Sequence, residues 1–290
     1  MAKLAKAVIT KDDIAEYLDK FSDFSFEVRV FKVLSAIGLT CSHSGTYMDP
    51  ITGKIREYDI RASHDKMMSE KFLVRQYFAV ECKNLTTMYP LVVHCVRRKR
   101  EESYLDVVIS YNSISIGNRA KTLKQRRDLH RYPVDDRVGK STDQVGRQAH
   151  DNEIVASDGG VFEKISQAIN SSKDFVDASV ASGRGDYVTL SYINPILVVP
   201  DETLWAVTYD DDGNVISGPE VADWIPIYYG QDWPYQTNER RGVYSISHLD
   251  VVTIGALERH VRSILNIDDF ELCDFYKKIR AENSFPGIPK

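Results

Sequence analysis

No run of 18 consecutive apolar residues occurs anywhere in this chain of 290 residues, so the sequence predicts no membrane-spanning helix. The opening MAKLAKAVITKDD lacks the continuous apolar stretch of a secretory signal. Cysteine is scarce: Cys41, Cys82, Cys95 and Cys273 are scattered with no CxxC pair. That excludes a disulfide framework and a zinc-ribbon-type site, and points to a reducing, cytoplasmic setting. A strongly basic balance is missing too, with 37 Lys and Arg against 42 Asp and Glu, net charge −5. No internal repeat and no linker-like stretch divides the chain, so one continuous domain over residues 1–290 is expected. What is present is enough apolar residue, 43% of the chain, to bury a sizeable core.

Charge is unevenly distributed. Between His94 and Arg147 there are 13 Lys and Arg against 7 Asp and Glu, a local excess of +6. Arg97, Arg98, Lys99, Arg100, Arg126, Arg127, Lys140 and Gln144 fall in this region and are the candidates for phosphate-backbone contact. A solvated basic loop is the alternative reading. The aromatic run WIPIYYGQDWPY reads as a proline-broken loop, serving packing, an oligomer contact or base stacking.

Periodicity predicts helices over 12–20 and 25–38, the second with Ser25 as N-cap and Gly38 as terminator. Strands are expected at 39–48, 55–63 and 72–82, the first two joined by a turn containing Pro50 and Gly53. A further strand is expected at 89–98, with 104–111 beside it. Residues 112–150 show little periodicity and read as an irregular basic insertion. A helix follows to about Ala181, its stripe formed by Val161, Phe162, Ile165 and Ile169. NPILVVPDETLWAVTYDDDGNV reads as two strands with DDDG as a turn, and helices are expected at 248–266 and 268–282.

The segment FAVECKN, residues 78–84, carries the chemistry. Side chains alternate along a strand, so Phe78, Val80 and Cys82 share an apolar face while Glu81 and Lys83 share the other, roughly 7 Å apart. On the preceding strand Glu57, Asp59 and Arg61 form one face. If the two strands are neighbours, about 4.8 Å apart, Asp59 lies beside Glu81. Two carboxylates so close repel unless a cation or proton lies between them. An oxygen-rich pair of this kind suits Mg²⁺, and phosphodiester hydrolysis needs such a metal together with a nearby lysine. The bland alternatives are a helix-dipole glutamate at Glu27 and a surface ion pair of Glu81 with Lys83. His43, His64 and His94 read as isolated.

Asp59 in REYDIRA, Glu81 and Lys83 in VECK, and Glu27 in SFEVRVFKVL together resemble the PD-(D/E)xK nuclease superfamily. The resemblance covers about residues 20–85. It departs from the family pattern where Tyr58 replaces the proline and where a long insertion follows Lys83. It implies an α/β fold with a restriction-endonuclease-like core: helix, three-stranded meander, helix and strand in a mixed central sheet, elaborated by C-terminal helices from about 248. It also implies Mg²⁺-dependent cleavage of DNA, with Mn²⁺ substituting. Asp59, Glu81 and Glu27 would be metal ligands, and Lys83 would act on the attacking water. Gln144 or Gln148 would be the glutamine that some relatives carry on the following helix. The implied partners are DNA and a second copy of the chain or a defence-system protein. A non-catalytic nucleic-acid-binding or assembly module on the same fold is the alternative.

Overall fold

The computed structural model describes residues 7–20, 22–70, 72–113, 117–125, 131–148, 150, 152–157, 159–181, 188–237 and 241–266. Two helices come first, α1 (Lys11–Lys20) and α2 (Phe24–Ile37). Gly38 terminates α2 at φ 98°, a left-handed conformation that costs a residue without Cβ little, and its N–H closes on Leu34 and Ser35 carbonyls. Ser25 lies inside the first turn; Asp23 holds the N-cap position without a side-chain capping bond.

An antiparallel meander follows: β1 (Thr40–Met48), β2 (Ile55–Ser69) and β3 (Phe72–Cys82). The turn between β1 and β2 is closed by the Asp49 carboxylate, which accepts the Ile51 and Thr52 N–H groups. Next come β4 (Leu91–Arg97), β5 (Leu105–Ser113), β6 (Gly117–Gln125), β7 (Arg137–Arg147) and β8 (Ile154–Ser157), then the long helix α3 (Gly159–Ala181). The chain continues through β9 (Val188–Val199), β10 (Leu204–Tyr209), β11 (Val215–Val221), β12 (Trp224–Gln236), β13 (Arg241–Thr253) and α4 (Ile254–Leu265).

All thirteen strands belong to one mixed sheet, whose main path runs β1-β2-β3-β9-β13-β12-β7-β4-β10-β11. β9 lies parallel to β3 along its length, and its other edge is shared. Its first half pairs with β5 and its last residues pair with β13, so the sheet forks there. Every residue of β9 is buried, Thr189, Ser191 and Asn194 included, and the strand ends in the apolar run Pro195–Val199 expected of a strand covered on both faces.

The expected small restriction-endonuclease-like α/β core is therefore overturned. The described residues are mostly strand, with thirteen strands and only four helices among them. Three segments account for the difference. The polar region read as an irregular insertion forms β6 and β7, in which backbone pairing rather than an apolar face holds the strands. The aromatic run is β12, paired along β13, with Trp233 and Tyr235 buried and Asp232 and Pro234 exposed. Residues 248–253, read as the start of a helix, end β13: the β-branched Val251, Val252 and Thr253 pair with β9 before α4 begins. The helix expected at 268–282 lies outside the described residues. The strand at 104–111 pairs with β6 and β9 rather than with β4, and β10 pairs with β4 and β11 rather than with β9.

Two layers of helix cover the sheet. α3 lays Val161, Ile165, Ala168 and Ile169 on the face of the sheet that holds Ala79, Leu197 and Val251. Phe162, expected in that stripe, is exposed. On the opposite face Phe26, Val30 and Leu34 of α2 and Leu257 and Val261 of α4 pack on Ile60, Phe78, Val80 and Cys82. Each such fully buried side chain contributes roughly 1.5–3 kcal/mol. Among the described residues no helix is long and apolar enough to cross a membrane.

Candidate functional site

Ile60 stands opposite Val80 in the β2–β3 register, so the next pair along is Asp59 and Glu81. Alternation sends Ile60, Val80 and Cys82 into the core beneath α2 and leaves Asp59 and Glu81 under α3. Asp59 Oδ2 accepts the Cys82 N–H at 2.8 Å, and Glu81 Oε1 accepts the Asp59 N–H at 3.4 Å. The two carboxylates are thus fastened to each other's strand.

The cation between them is Lys164, from the second turn of α3. Its Nζ donates to Asp59 Oδ1 at 2.7 Å, to Asp59 Oδ2 at 2.6 Å and to Glu81 Oε2 at 3.2 Å. Glu81 is fully buried and Asp59 nearly so. Burial, reinforced by the neighbouring Asp59, holds the Glu81 carboxyl well above the ordinary glutamate range, with Lys164 opposing. Burial would lower the Lys164 ammonium, but Glu81 and then Asp59 outweigh it and hold it above the usual lysine range. Two carboxylates share one ammonium, and the residual electrostatic strain falls on Glu81, the more deeply buried of the two.

Lys83, the lysine expected beside the carboxylates, bonds elsewhere. Its Nζ donates to Asp23 Oδ2 at 3.0 Å, and the other oxygen of Asp23 accepts the Asn84 N–H at 2.8 Å. Together they tie the start of α2 to the end of β3. Glu27 is buried on α2 and meets His43 Nε2 at 3.1 Å, with the His43 ring between Phe24 and Phe31. Burial raises the Glu27 carboxyl, and Asp59 raises it further, so Glu27 lies within electrostatic reach of the site. His43 and His94, read as isolated, are both engaged: His94 bridges Asp143 and Tyr209 at 2.8 and 3.0 Å.

The basic candidates separate. Arg97, Lys99 and Arg100 are exposed, as the backbone-contact reading requires. Arg98 is buried and donates to His248 Nε2, the Pro133 carbonyl and the Arg137 carbonyl, so it is a structural clamp unable to meet DNA. Lys140 pairs with Glu102 and lies over the Tyr228 ring at 4.7 Å. Gln144 stands on strand β7 and bonds the Tyr89 carbonyl, so it is not a helix glutamine; Gln148 follows the same strand. Arg126 and Arg127 lie outside the described residues.

Sequence reasoning missed Lys164. One signal was available: counted from Val161, it stands at i+3, on the stripe that Ile165 and Ala168 bury. An ammonium there needs a buried anion.

The donor set suits a hard divalent cation. Two carboxylates converge on one ammonium within 3.2 Å, and oxygen-only ligation is what Mg²⁺ selects. No family model, no curated protein and no solved structure matches this chain.

Proposed function

We propose that this chain is a Mg²⁺-dependent endodeoxyribonuclease with its active site at Asp59, Glu81 and Lys164. The observation that carries the reading is the meeting of two strand-borne carboxylates on a single helix-borne ammonium under α3. Asp59 and Glu81 would hold the metal, which when bound polarises the scissile phosphate and lowers the pKa of a bound water. Lys164 supplies a positive charge within reach of the same oxygens, suited to balancing charge that develops on phosphate. Glu27, held by His43, stands at the edge of the site and assists from there. Asp59 stays aimed at the site because the Cys82 N–H fixes one of its oxygens. Restriction or phage defence is the setting that the PD-(D/E)xK resemblance suggests. This proposal rests on the side-chain constellation and not on the overall fold.

Cleavage of supercoiled plasmid in Mg²⁺ tests it. Asp59→Asn and Glu81→Gln should each abolish nicking, and EDTA should abolish it in the wild type. Wild-type rates in both variants would rule the site out. The ammonium of Lys164 already standing between both carboxylates favours a second reading, a nucleic-acid-binding or assembly module with a structural ion triad. That reading expects DNA binding equal in Mg²⁺ and EDTA, with no cleavage in either.

A further inference from the structure

An ammonium has three hydrogens to donate, and all three of Lys164's are directed at this site: two to Asp59, one to Glu81. The carboxylates hold backbone bonds as well. Asp59 Oδ2 also takes the Cys82 N–H, and the Glu81 oxygen that Lys164 leaves free takes the Asp59 N–H. Nζ lies within 3.2 Å of oxygens of both groups, in the place a bridging divalent cation would take, and its charge repels one, so such a cation cannot gain both carboxylates while Lys164 keeps its three bonds. The Lys164 side chain is 17% exposed, on a flexible stem that can turn outward. Once released, the ammonium needs another anion, and the anion that nuclease chemistry brings to this place is a phosphodiester.

We infer that Lys164 couples metal binding to nucleic-acid binding: it blocks the carboxylates until a substrate phosphate takes over its ammonium. Metal and nucleic acid then favour each other's binding by the same factor, as linkage requires. The inference rests on the reading of Asp59 and Glu81 as metal ligands, and it makes Lys164 a device that withholds metal from the substrate-free protein.

The test is Mn²⁺ binding, followed by the loss of the free-ion electron paramagnetic resonance signal, with and without a phosphorothioate DNA duplex and after subtraction of Mn²⁺ bound by the duplex alone. The duplex should tighten Mn²⁺ binding to the wild type by about tenfold. Lys164→Met should bind Mn²⁺ about tenfold more tightly than the wild type without DNA, and the duplex should add nothing further. An unchanged wild-type affinity on adding the duplex would overturn the coupling. So would an unchanged affinity in a Lys164→Met protein that keeps the wild-type circular-dichroism spectrum. The wild-type arm needs no variant, so it stands even where Lys164→Met fails to fold. Failure of the underlying site reading looks different: Asp59→Asn and Glu81→Gln would then bind Mn²⁺ like the wild type.

Discussion

Lys164 donates to both oxygens of Asp59, at 2.7 and 2.6 Å, across 105 residues of sequence. The contact joins α3 to β2 over the sheet, so the geometry of the site depends on how α3 docks. Arg61 reinforces that docking from β2, bonding Asp174 of α3 at 2.7 Å while its guanidinium lies over the Tyr58 ring.

Removing the ammonium should cost more than an ordinary surface ion pair. Lys164→Met leaves two buried carboxylates without their cation, and breaking a buried pair on one side costs about 3–5 kcal/mol. Urea denaturation at neutral pH should show that loss, and a loss under about 1 kcal/mol would mean that the pair is solvated.

The pH dependence follows from Glu81. Its folded pKa lies above the unfolded value, so the stability it contributes is fully present below about pH 4, the unfolded range of a glutamate. It is lost as pH rises through the folded value. Glu81→Gln removes that dependence, so its stability relative to the wild type should increase as pH is raised from about 4 towards neutrality. Thermal melts across that range measure it; a relative stability that falls instead would contradict the raised carboxyl.

Lys83 and Lys164 should separate in the plasmid assay. Lys83→Met breaks a half-exposed tie to Asp23, which should cost at most about 1 kcal/mol and leave cleavage within a few-fold of wild type. Lys164→Ala should lower cleavage by about 100-fold or more. The reverse ranking would restore Lys83 to the chemistry.

Arg98 and its neighbours should also divide. Exposed Arg97, Lys99 and Arg100, changed to Ala, should each weaken DNA binding across sequences and reduce the slope of log affinity against log salt by about 1. Arg98→Met should destabilise the fold by about 2 kcal/mol or more, because carbonyls of Pro133 and Arg137 lose their donor. Its salt slope should not change. Fluorescence-anisotropy titrations at several salt concentrations, paired with melts, distinguish the two effects.

The meander from Thr40 to Cys82 was legible because a strand's faces are decided locally. Period-two alternation assigned Val80 and Cys82 to the core and Glu81 to the opposite face, and the register confirms Asp59 as its neighbour. β6, β7 and β12 were not legible. β6 and β12 form hairpins with the neighbouring β5 and β13, and β7 reaches back to β4, but all three are held by backbone hydrogen bonds, and a polar or proline-bearing stretch gives little local sign of that.

By itself the sequence determined that Asp59 lies on the face of its strand opposite Ile60, and Glu81 on the face of its strand opposite Val80 and Cys82, since side-chain alternation is a property of the backbone; the β2–β3 pairing then set the two carboxylates side by side. Which cation meets them was decided only by tertiary structure. Asp23, at the start of α2, captures Lys83 two residues beyond Glu81, while α3 delivers Lys164 to both carboxylates. The physical reason is that buried carboxylates require a nearby positive charge, and the packing of a distant helix, not proximity in sequence, brings one to them.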